Sequence, residues 1–308
     1  MPAKWFMCPD SETIEIAKCL EVGGCRMPER CATRPFLRLI GFDRKWQGVS
    51  PSSAGSGPRS LFLKAVTNYT IDPQNRVWAA FGTGTHGKLS LQDYVNDVLS
   101  EESFGNSGEG TPDCLDYDEE KAGYYILDDY KTWGSYKVAK ALGIVSEKKE
   151  ETIVDSEGKP VLLKSGKDVG KPKTKQHTII TVDPGKVDLK GEELQLNHYR
   201  ISFEQRGFPI SKMRIQAIPR DGGTYIAKNR GIDKNLYIIP IKRLHNNDVL
   251  SFYQTLSDEV NEGFQTGYVR KCNIWENWER RRCEGVWCEV SEACKEMSKK
   301  AGEKWGLI

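Results

Sequence analysis

Two aspartates and a lysine near the middle of the chain have the residue types and spacing of a divalent-cation site. Asp113 follows a Thr-Pro pair, and Asp129-Tyr130-Lys131 follows after a polar segment. Carboxylate oxygens suit Mg²⁺ or Mn²⁺ and leave coordination positions for water and a substrate phosphate. Lys131 would orient or help to deprotonate the attacking water and offset the charge that develops on the phosphate. A hairpin with solvated charges would show the same short pattern.

Two strands joined by a polar turn would position these groups. Residues 116–123 form the polar reversal, and an apolar, aromatic run over 124–127 leads into Asp129. Because side chains alternate between the two faces of a strand, Asp129 and Lys131 would point to the same side. The pattern therefore predicts carboxylates on neighbouring strands, with a lysine on the face that they share.

A histidine upstream and a Gln/Tyr pair downstream add to this set. His86 ends a Gly/Thr-rich segment, residues 82–86, which would be a phosphate-binding loop except that it lacks the Gly-Lys-Ser/Thr ending of a P-loop. Taken alone, His86 would equally be an ordinary surface or core residue. Residues 189–206 are predicted to form a helix, on which Gln195 and Tyr199 share one face because they are four residues apart.

In this order, the motifs resemble those of the Cas4/RecB-like branch of the PD-(D/E)xK nucleases, and in particular the Cas4-like proteins of phages and prophages. The resemblance covers about residues 50–300. It implies an α/β fold with a restriction-endonuclease-like core, in which a central mixed sheet is flanked by helices. Cysteine-rich metal-binding segments would lie at both ends of this core. The residues that carry the resemblance are His86, Asp113, Asp129, Lys131, Gln195 and Tyr199.

The resemblance also implies a role for each of these residues. His86, Asp113 and Asp129 would bind the cation, with the main-chain carbonyl of Tyr130 as a further ligand. Gln195 and Tyr199 would support the lysine and the DNA strand. A neutral imidazole ligand suits Mn²⁺ better than Mg²⁺.

The implied activity is that of a metal-dependent DNA nuclease, an exonuclease that hydrolyses phosphodiester bonds. It would act on single-stranded DNA or DNA ends in recombination, repair, or phage or CRISPR DNA processing. Besides DNA, a recombination or CRISPR-adaptation protein is the implied partner. The alternative is a non-catalytic or partner-dependent DNA-binding subunit of a recombination or spacer-acquisition complex.

Eight of the nine cysteines fall into two sets with nearly identical spacing, one toward each end of the chain. Four thiolates without a histidine suit Zn²⁺ or a [4Fe–4S] cluster. In the family, three C-terminal cysteines join one upstream cysteine to hold such a cluster, but residues 52–69, where that cysteine would lie, have none. The sets are Cys8, Cys19, Cys25 and Cys31, and Cys272, Cys283, Cys288 and Cys294.

Two arrangements of these cysteines are open. Each set binds its own centre, or Cys31 completes an iron–sulfur cluster with Cys283, Cys288 and Cys294. The near-identical spacing favours two centres. Cys114, the ninth, is predicted to be a buried core thiol.

Length, composition and net charge limit the class of protein. The chain has 308 residues, 38% of them apolar, and a net charge of +2, so any basic surface must be local. No apolar run is long enough to span a bilayer and the N-terminus lacks a signal-peptide core, so we expect a cytoplasmic protein, in a bacterium or in the host of a phage.

Shifts in composition divide the chain into an N-terminal cysteine-rich segment (1–48), a nuclease core (49–265) and a C-terminal cysteine segment (266–308). Within the core, residues 146–176 are a Lys/Gly-rich insertion, with a hairpin at 157–158 and a mobile tip. The insertion is either solvated without contacts or a basic flap that touches phosphates through Lys164, Lys167, Lys171, Lys173 and Lys175. Further helices are predicted over 59–69, 132–143 and 247–265, and strands over 212–218, 225–227 and 236–241.

Overall fold

The computed structural model describes residues 3–41, 46–89, 91, 99–100, 111–285 and 287–302, and in this part of the chain helices alternate with short strands. The strands are β1 (Trp5–Met7), β2 (Thr13–Glu15), β3 (Thr70–Ile71), β4 (Leu99–Ser100), β5 (Cys114–Tyr117), β6 (Tyr125–Lys131), β7 (Ile144–Thr152), β8 (Thr174–Val182), β9 (Ile210–Ala217) and β10 (Tyr237–Pro240). The helices are α1 (Ile16–Leu20), α2 (Arg34–Gly41), α3 (Pro58–Val66), α4 (Pro73–Leu89), α5 (Ser135–Ala141), α6 (Lys190–Gln205), α7 (Tyr225–Asn229), α8 (Asn246–Thr266), α9 (Arg281–Glu284) and α10 (Ser291–Lys300).

The strands of the described residues form three sheets. The first has the order β2-β1-β3, with β1 antiparallel to β2 and parallel to β3. The second has the order β10-β9-β6-β5-β4, and its β4–β5 and β5–β6 pairs are antiparallel. Strands β6 and β9 run in the same direction, since Tyr125 N donates to Pro209 O and Ile218 N donates to Lys131 O. The third is the antiparallel β7–β8 pair. The fold is therefore α/β, with mixed sheets flanked by helices, as the sequence predicts at this level.

The chain divides into two compact units. The first comprises Met1–Asp129, Lys190–Arg214 and Pro240–Ile308, and the second comprises Tyr130–Leu189 and Ile215–Ile239. The boundaries predicted at residues 48 and 265 stay predictions.

One hydrophobic core of the first unit joins the two cysteine-rich regions. Phe6 of β1, Leu37 of α2 and Phe62 of α3 are buried in it. Val290 is buried in the same core, and Cys294 packs against it half-buried. Segments from both ends of the described chain therefore contribute to one core.

Helix α6 is held by buried polar side chains as well as by apolar packing. Asn197 Nδ2 donates to Lys242 O, and Asn197 Oδ1 accepts from Leu244 N at 2.9 Å. The fully buried Arg200 donates to Leu244 O and to Asn246 Oδ1. These bonds satisfy groups that would otherwise be costly to bury, and they fix α6 against the segment that precedes α8.

The second unit contains α5, the β7–β8 hairpin and α7. The predicted strand over 225–227 is wrong, because these residues begin α7. Thr224 caps this helix, with its hydroxyl accepting from Ala227 N at 3.2 Å. In the described part of the chain, no helix combines the length and the apolar character needed to cross a membrane.

Candidate functional site

His86 and Asp113 meet in the first unit. His86 Nδ1 lies 3.2 Å from Asp113 Oδ1, and the Asp113 side chain is only 10% exposed. His86 lies near the end of α4, whose start is fixed by Pro73 in the first turn and by Asp72, which accepts from Gln74 N at 2.9 Å. Asp113 directly precedes β5. The structure therefore brings together two of the predicted ligands from segments that are separated in sequence.

Residues 82–86 form part of α4, so this Gly/Thr-rich segment is helical. The Thr83 and Thr85 hydroxyls donate to Ala79 O and Phe81 O, four residues earlier, at 3.1 and 3.0 Å. These bonds satisfy the hydroxyls within the helix, so the segment does not form a phosphate-binding loop.

The pairing of β5 with β6 places the second carboxylate. Cys114 lies opposite Asp128 in this antiparallel ladder, and Leu115 lies opposite Leu127. Continuing the register by one residue places Asp113 opposite Asp129, which is buried. Directly opposed residues project from the same face, so both carboxylates face one side of the sheet. The hairpin predicted from the sequence is confirmed.

Asp128 serves a different role from its neighbour Asp129. Arg214 of β9 donates from Nε to Asp128 Oδ1 at 2.8 Å and from Nη2 to Oδ2 at 2.6 Å. The hydrogen bond to Asp128 raises the pKa of Arg214. This pair was not predicted from the sequence. The predicted strand 212–218 contains one arginine, Arg214, but no local pattern links it to Asp128. Asp128 is neutralised on the face opposite to that of Asp129.

Tyr130 and Lys131 follow Asp129 on β6 as its last two residues, and both are half-buried. The boundary between the two compact units falls between Asp129 and Tyr130. Within the second unit, Lys131 O accepts from Ile218 N at 2.8 Å. The expectation that the side chain of Lys131 shares a face with that of Asp129 stays a prediction. A role of the Tyr130 carbonyl as a ligand stays a prediction.

Gln195 and Tyr199 lie on the predicted helix, α6, and face each other. Gln195 Nε2 is 3.4 Å from Tyr199 Oη, and Tyr199 is buried. The ring of the adjacent His198 packs edge-on against Tyr253, and burial raises the pKa of the Tyr253 hydroxyl. The predicted contact of the pair with the lysine and DNA stays a prediction.

The four C-terminal cysteines line a single cavity of about 310 Å³. Its other walls include Ser60 of α3, Arg280 and Val290. Cys31 is not among the lining residues. The lining cysteines are Cys272, Cys283, Cys288 and Cys294.

Burial and two arginines set the electrostatics of this cavity. Burial, with Glu276 nearby, raises the pKa of the Cys272 thiol to about 12. The fully buried Arg59 directs Nη1 toward Cys294 Sγ at 4.0 Å, and it donates to Ser298 Oγ and Val269 O. Burial, with the neighbouring Cys288 and Cys294, also raises the pKa of the Cys283 thiol. Burial therefore favours the protonated form of Cys272 and Cys283, and Arg282 acts in the opposite direction, toward the thiolate that binds metal ions.

The N-terminal cysteines lie near one another at graded depth. Cys8 and Cys19 are buried, Cys25 is half-buried and Cys31 is exposed. The Cys19 thiol interacts electrostatically with the other three, and burial is the main cause that raises its pKa. Arg30 Nη1 donates to Cys19 O at 2.6 Å and lies 3.8 Å from Cys19 Sγ. Cys114, as predicted, is a buried thiol of the core.

A metal site requires ligand side chains that point at one position, and side chains that lie near one another do not always do so. Among the described residues, no three Cys, His, Asp or Glu side chains are arranged as ligands of a single metal ion. The acidic pair with His86, and each cysteine set, are therefore neighbouring groups rather than closed coordination spheres.

Comparisons with known proteins give no functional assignment. No family model and no curated protein matches the chain. A solved structure described as "Crystal structure of SSO0001" is 12% identical, with 85% of this chain and 94% of that chain covered, at a TM-score of 0.41. A TM-score this low carries no argument about fold or function.

Proposed function

We propose that this protein is a metal-dependent DNA nuclease with a PD-(D/E)xK restriction-endonuclease-like core. The observation that carries the proposal is the 3.2 Å approach of His86 to Asp113, together with the register that places Asp129 opposite Asp113. Lys131 follows two residues later on the same strand. The ordered resemblance to Cas4/RecB-like nucleases supports the same residues in the same roles.

The donor set fits a hard divalent cation. Two carboxylates that lie directly opposite each other on neighbouring strands repel, and a cation between them would remove that repulsion. Because Arg214 neutralises Asp128, the carboxylate of Asp128 does not add to the repulsion between Asp113 and Asp129. Binding requires that the side chain of Asp129 turn toward the His86–Asp113 pair, since the three do not converge on one point.

Each residue would act in a distinct way during hydrolysis. Mg²⁺ or Mn²⁺ would supply a polarised phosphate and a water molecule of lowered pKa. Asp113, Asp129 and His86 would hold the cation, with the Tyr130 carbonyl as a further ligand. Lys131 orients the attacking water and offsets the negative charge on the phosphate. Gln195 and Tyr199 support the lysine and the DNA strand.

We further propose that Cys272, Cys283, Cys288 and Cys294 hold a [4Fe–4S] cluster. The four thiols line a cavity of about 310 Å³, a volume that would accommodate a multi-atom cluster, and the resemblance to Cas4/RecB-like nucleases supports this choice over zinc. Cys8, Cys19, Cys25 and Cys31 then form a separate centre, of zinc or a cluster.

The resemblance to Cas4/RecB-like nucleases supports a proposal for the biological setting. The protein would act on single-stranded DNA or DNA ends, in the cytoplasm of a bacterium or of a phage's host. A recombination or CRISPR-adaptation protein would be its partner in recombination, repair or DNA processing.

The deciding experiment is cleavage of single- and double-stranded DNA with Mn²⁺ or Mg²⁺ by protein purified without oxygen. Asp113→Asn and Lys131→Ala should each lower the rate by about 100-fold or more. Asp116→Asn is the matched control, because Asp116 is exposed on the same strand, β5. Cleavage that survives in both site variants would exclude this site. DNA binding by folded wild type without cleavage would instead favour the non-catalytic or partner-dependent subunit.

A further inference from the structure

The second compact unit contains a long hairpin with little contact to a core. Strands β7 and β8 pair over nine residues each, from Ile144 opposite Val182 to Thr152 opposite Thr174. At about 3.3 Å per residue, this arm is about 30 Å long. Over 146–152 every residue is exposed. An arm that buries so little apolar surface contributes little to the stability of the fold. We therefore consider whether its exposed surface binds a ligand.

The end of this arm is folded by its own hydrogen bonds. Ile153 N donates to Lys173 O, Val161 N donates to Ile153 O, and Lys173 N donates to Val161 O, at 2.7–2.8 Å. Two smaller turns project from this junction. One closes where Asp155 N donates to Lys159 O, which includes the predicted hairpin at 157–158, and the other where Leu163 N donates to Lys171 O. The lysines of the tip are thus displayed on hydrogen-bonded backbone.

Charge is segregated along the arm. The tip, defined as residues 153–175 so that it includes both turns, has six lysines and three acidic residues, a net charge of +3. Residues 144–152 have two lysines and three acidic residues, a net charge of −1. The whole chain has a net charge of only +2. A local concentration of this size gives the tip a positive field that the rest of the protein lacks.

Two of the six lysines are neutralised within the tip region. Lys159 Nζ lies 3.0 Å from Glu157, and Lys171 Nζ lies 2.6 Å from Asp168. The remaining four are exposed, and none of them forms an ion pair within 4.0 Å with a described residue, although Lys175 lies opposite Glu151 in the β7–β8 ladder. They are Lys164, Lys167, Lys173 and Lys175.

We propose that the tip is a second contact surface for the phosphate backbone of nucleic acid, apart from the cation site. The choice of nucleic acid over another polyanion rests on the proposed nuclease function. A nuclease with a nearly balanced net charge has no general field to attract its substrate, so a local basic surface must do so. Four exposed lysines without an ion pair, carried on hydrogen-bonded backbone, supply that attraction.

Equilibrium binding tests the tip without any need for catalysis. Fluorescence anisotropy of a labelled single-stranded oligonucleotide is measured across KCl concentrations, without added divalent cation. Each phosphate contact adds about 0.7 to the slope of log affinity against log salt for single strands. K164Q/K167Q should therefore lower the slope by about 1.4, and the quadruple Lys→Gln variant by about 2.8, with weaker binding in low salt.

Matched controls test whether the tip lysines cause the loss of oligonucleotide binding. K148Q/K149Q removes the same charge from the middle of the same hairpin and should leave affinity and slope near those of wild type. The quadruple Lys→Arg variant keeps the charge and should bind as wild type does. Thermal unfolding of every variant confirms that the exposed substitutions leave the fold intact.

The outcomes separate this inference from the nuclease proposal. Tip-dependent binding without cleavage by any metal supports the tip and rejects the nuclease. Cleavage with binding and slope unchanged in K164Q/K167Q supports the nuclease and rejects the tip. Equal losses in the tip variant and in K148Q/K149Q, or no nucleic-acid binding by wild type, also overturn the inference.

Discussion

Arg214 and Asp128 form a two-bond ion pair between strands β9 and β6, with distances of 2.8 and 2.6 Å and only 2% of the Asp128 side chain exposed. The pair explains why two adjacent aspartates on one strand have different roles. Asp128 contributes to the stability of the sheet, whereas Asp129 faces the side on which Asp113 lies.

Removal of Arg214 should therefore destabilise the protein without touching the proposed site. Arg214→Met leaves Asp128 buried without its cation, and we expect the free energy of unfolding to fall on the order of 3 kcal/mol. Urea denaturation measures this change. Arg38→Met, at an exposed arginine of α2, is the control and should change stability little. The double variant Arg214→Met/Asp128→Leu should recover much of the loss; a double variant as unstable as the single one would contradict the assignment.

His86 should determine metal preference more than overall fold. Imidazole nitrogen suits Mn²⁺ better than Mg²⁺, so His86→Ala should lower the Mn²⁺-dependent cleavage rate more than the Mg²⁺-dependent rate. Rates with each metal, compared as a ratio, check this. His177→Ala on the exposed strand β8 serves as the control. An equal fall with both metals would mean that His86 positions Asp113 and does not ligate.

The C-terminal thiols should act as one set. Anaerobically purified protein should show a broad absorbance at about 400 nm, from iron–thiolate charge transfer. Cys272→Ser and Cys283→Ser should each abolish it, since both line the same cavity. Cys114→Ser, a buried thiol outside that cavity, should retain it. Loss of the absorbance in Cys31→Ser would favour the alternative in which Cys31 completes the cluster, and zinc in place of iron would refute the cluster.

Local sequence patterns were sufficient to predict some helices and strands and not others. The β5–β6 hairpin follows from an apolar run and a polar turn, and α6 and α8 follow from periodicity and length. Residues 225–227 are apolar enough to suggest a strand, but the cap by Thr224 determines a helix. The pairing of Arg214 with Asp128 joins residues 86 apart, and nothing local specifies it.

The same limit applies to the candidate site. The sequence order of His86, Asp113 and Asp129 was readable from motifs, and the β5–β6 register supports two of them. The enclosure of the C-terminal thiols in one cavity could not be predicted from the sequence, because it depends on how α3 packs against Cys272. The close approach at Gly57 shows this dependence: a Cβ there would lie 2.4 Å from Cys272 Sγ.

Gly57→Ala should consequently disturb the thiol cavity. The added methyl would also lie 2.8 Å from Cys272 Cβ, and Gly57 precedes α3 with a negative φ, so the effect is steric and not a backbone strain. We expect a lower thermal midpoint and a lower iron content. Gly55→Ala is the matched control, because a Cβ there meets nothing within 4 Å. If both variants load iron equally, α3 does not form the wall of the cluster site.

Asp118 should make stability depend on pH in the acidic range. Its carboxylate accepts from Ser211 Oγ at 2.6 Å, and this bond, with the nearby Lys212, holds the pKa of Asp118 below its usual value. A folded-state pKa below the unfolded one means that the stabilisation is present above the unfolded pKa, about 3.9, and is lost as pH falls through the folded pKa. Asp118→Asn should therefore be less stable than wild type near neutral pH, and the difference should shrink as the pH falls below about 4.

Urea denaturation at a series of pH values checks this sign. Asp116→Asn, two residues earlier and exposed, is the control and should show no comparable difference from wild type. The hydrogen bond from Ser211 also predicts that Ser211→Ala reproduces part of the loss at neutral pH, because the carboxylate then loses its main donor. A difference between Asp118→Asn and wild type that grows as the pH falls would show that the carboxyl is stabilised in its protonated form, and would contradict the assigned direction.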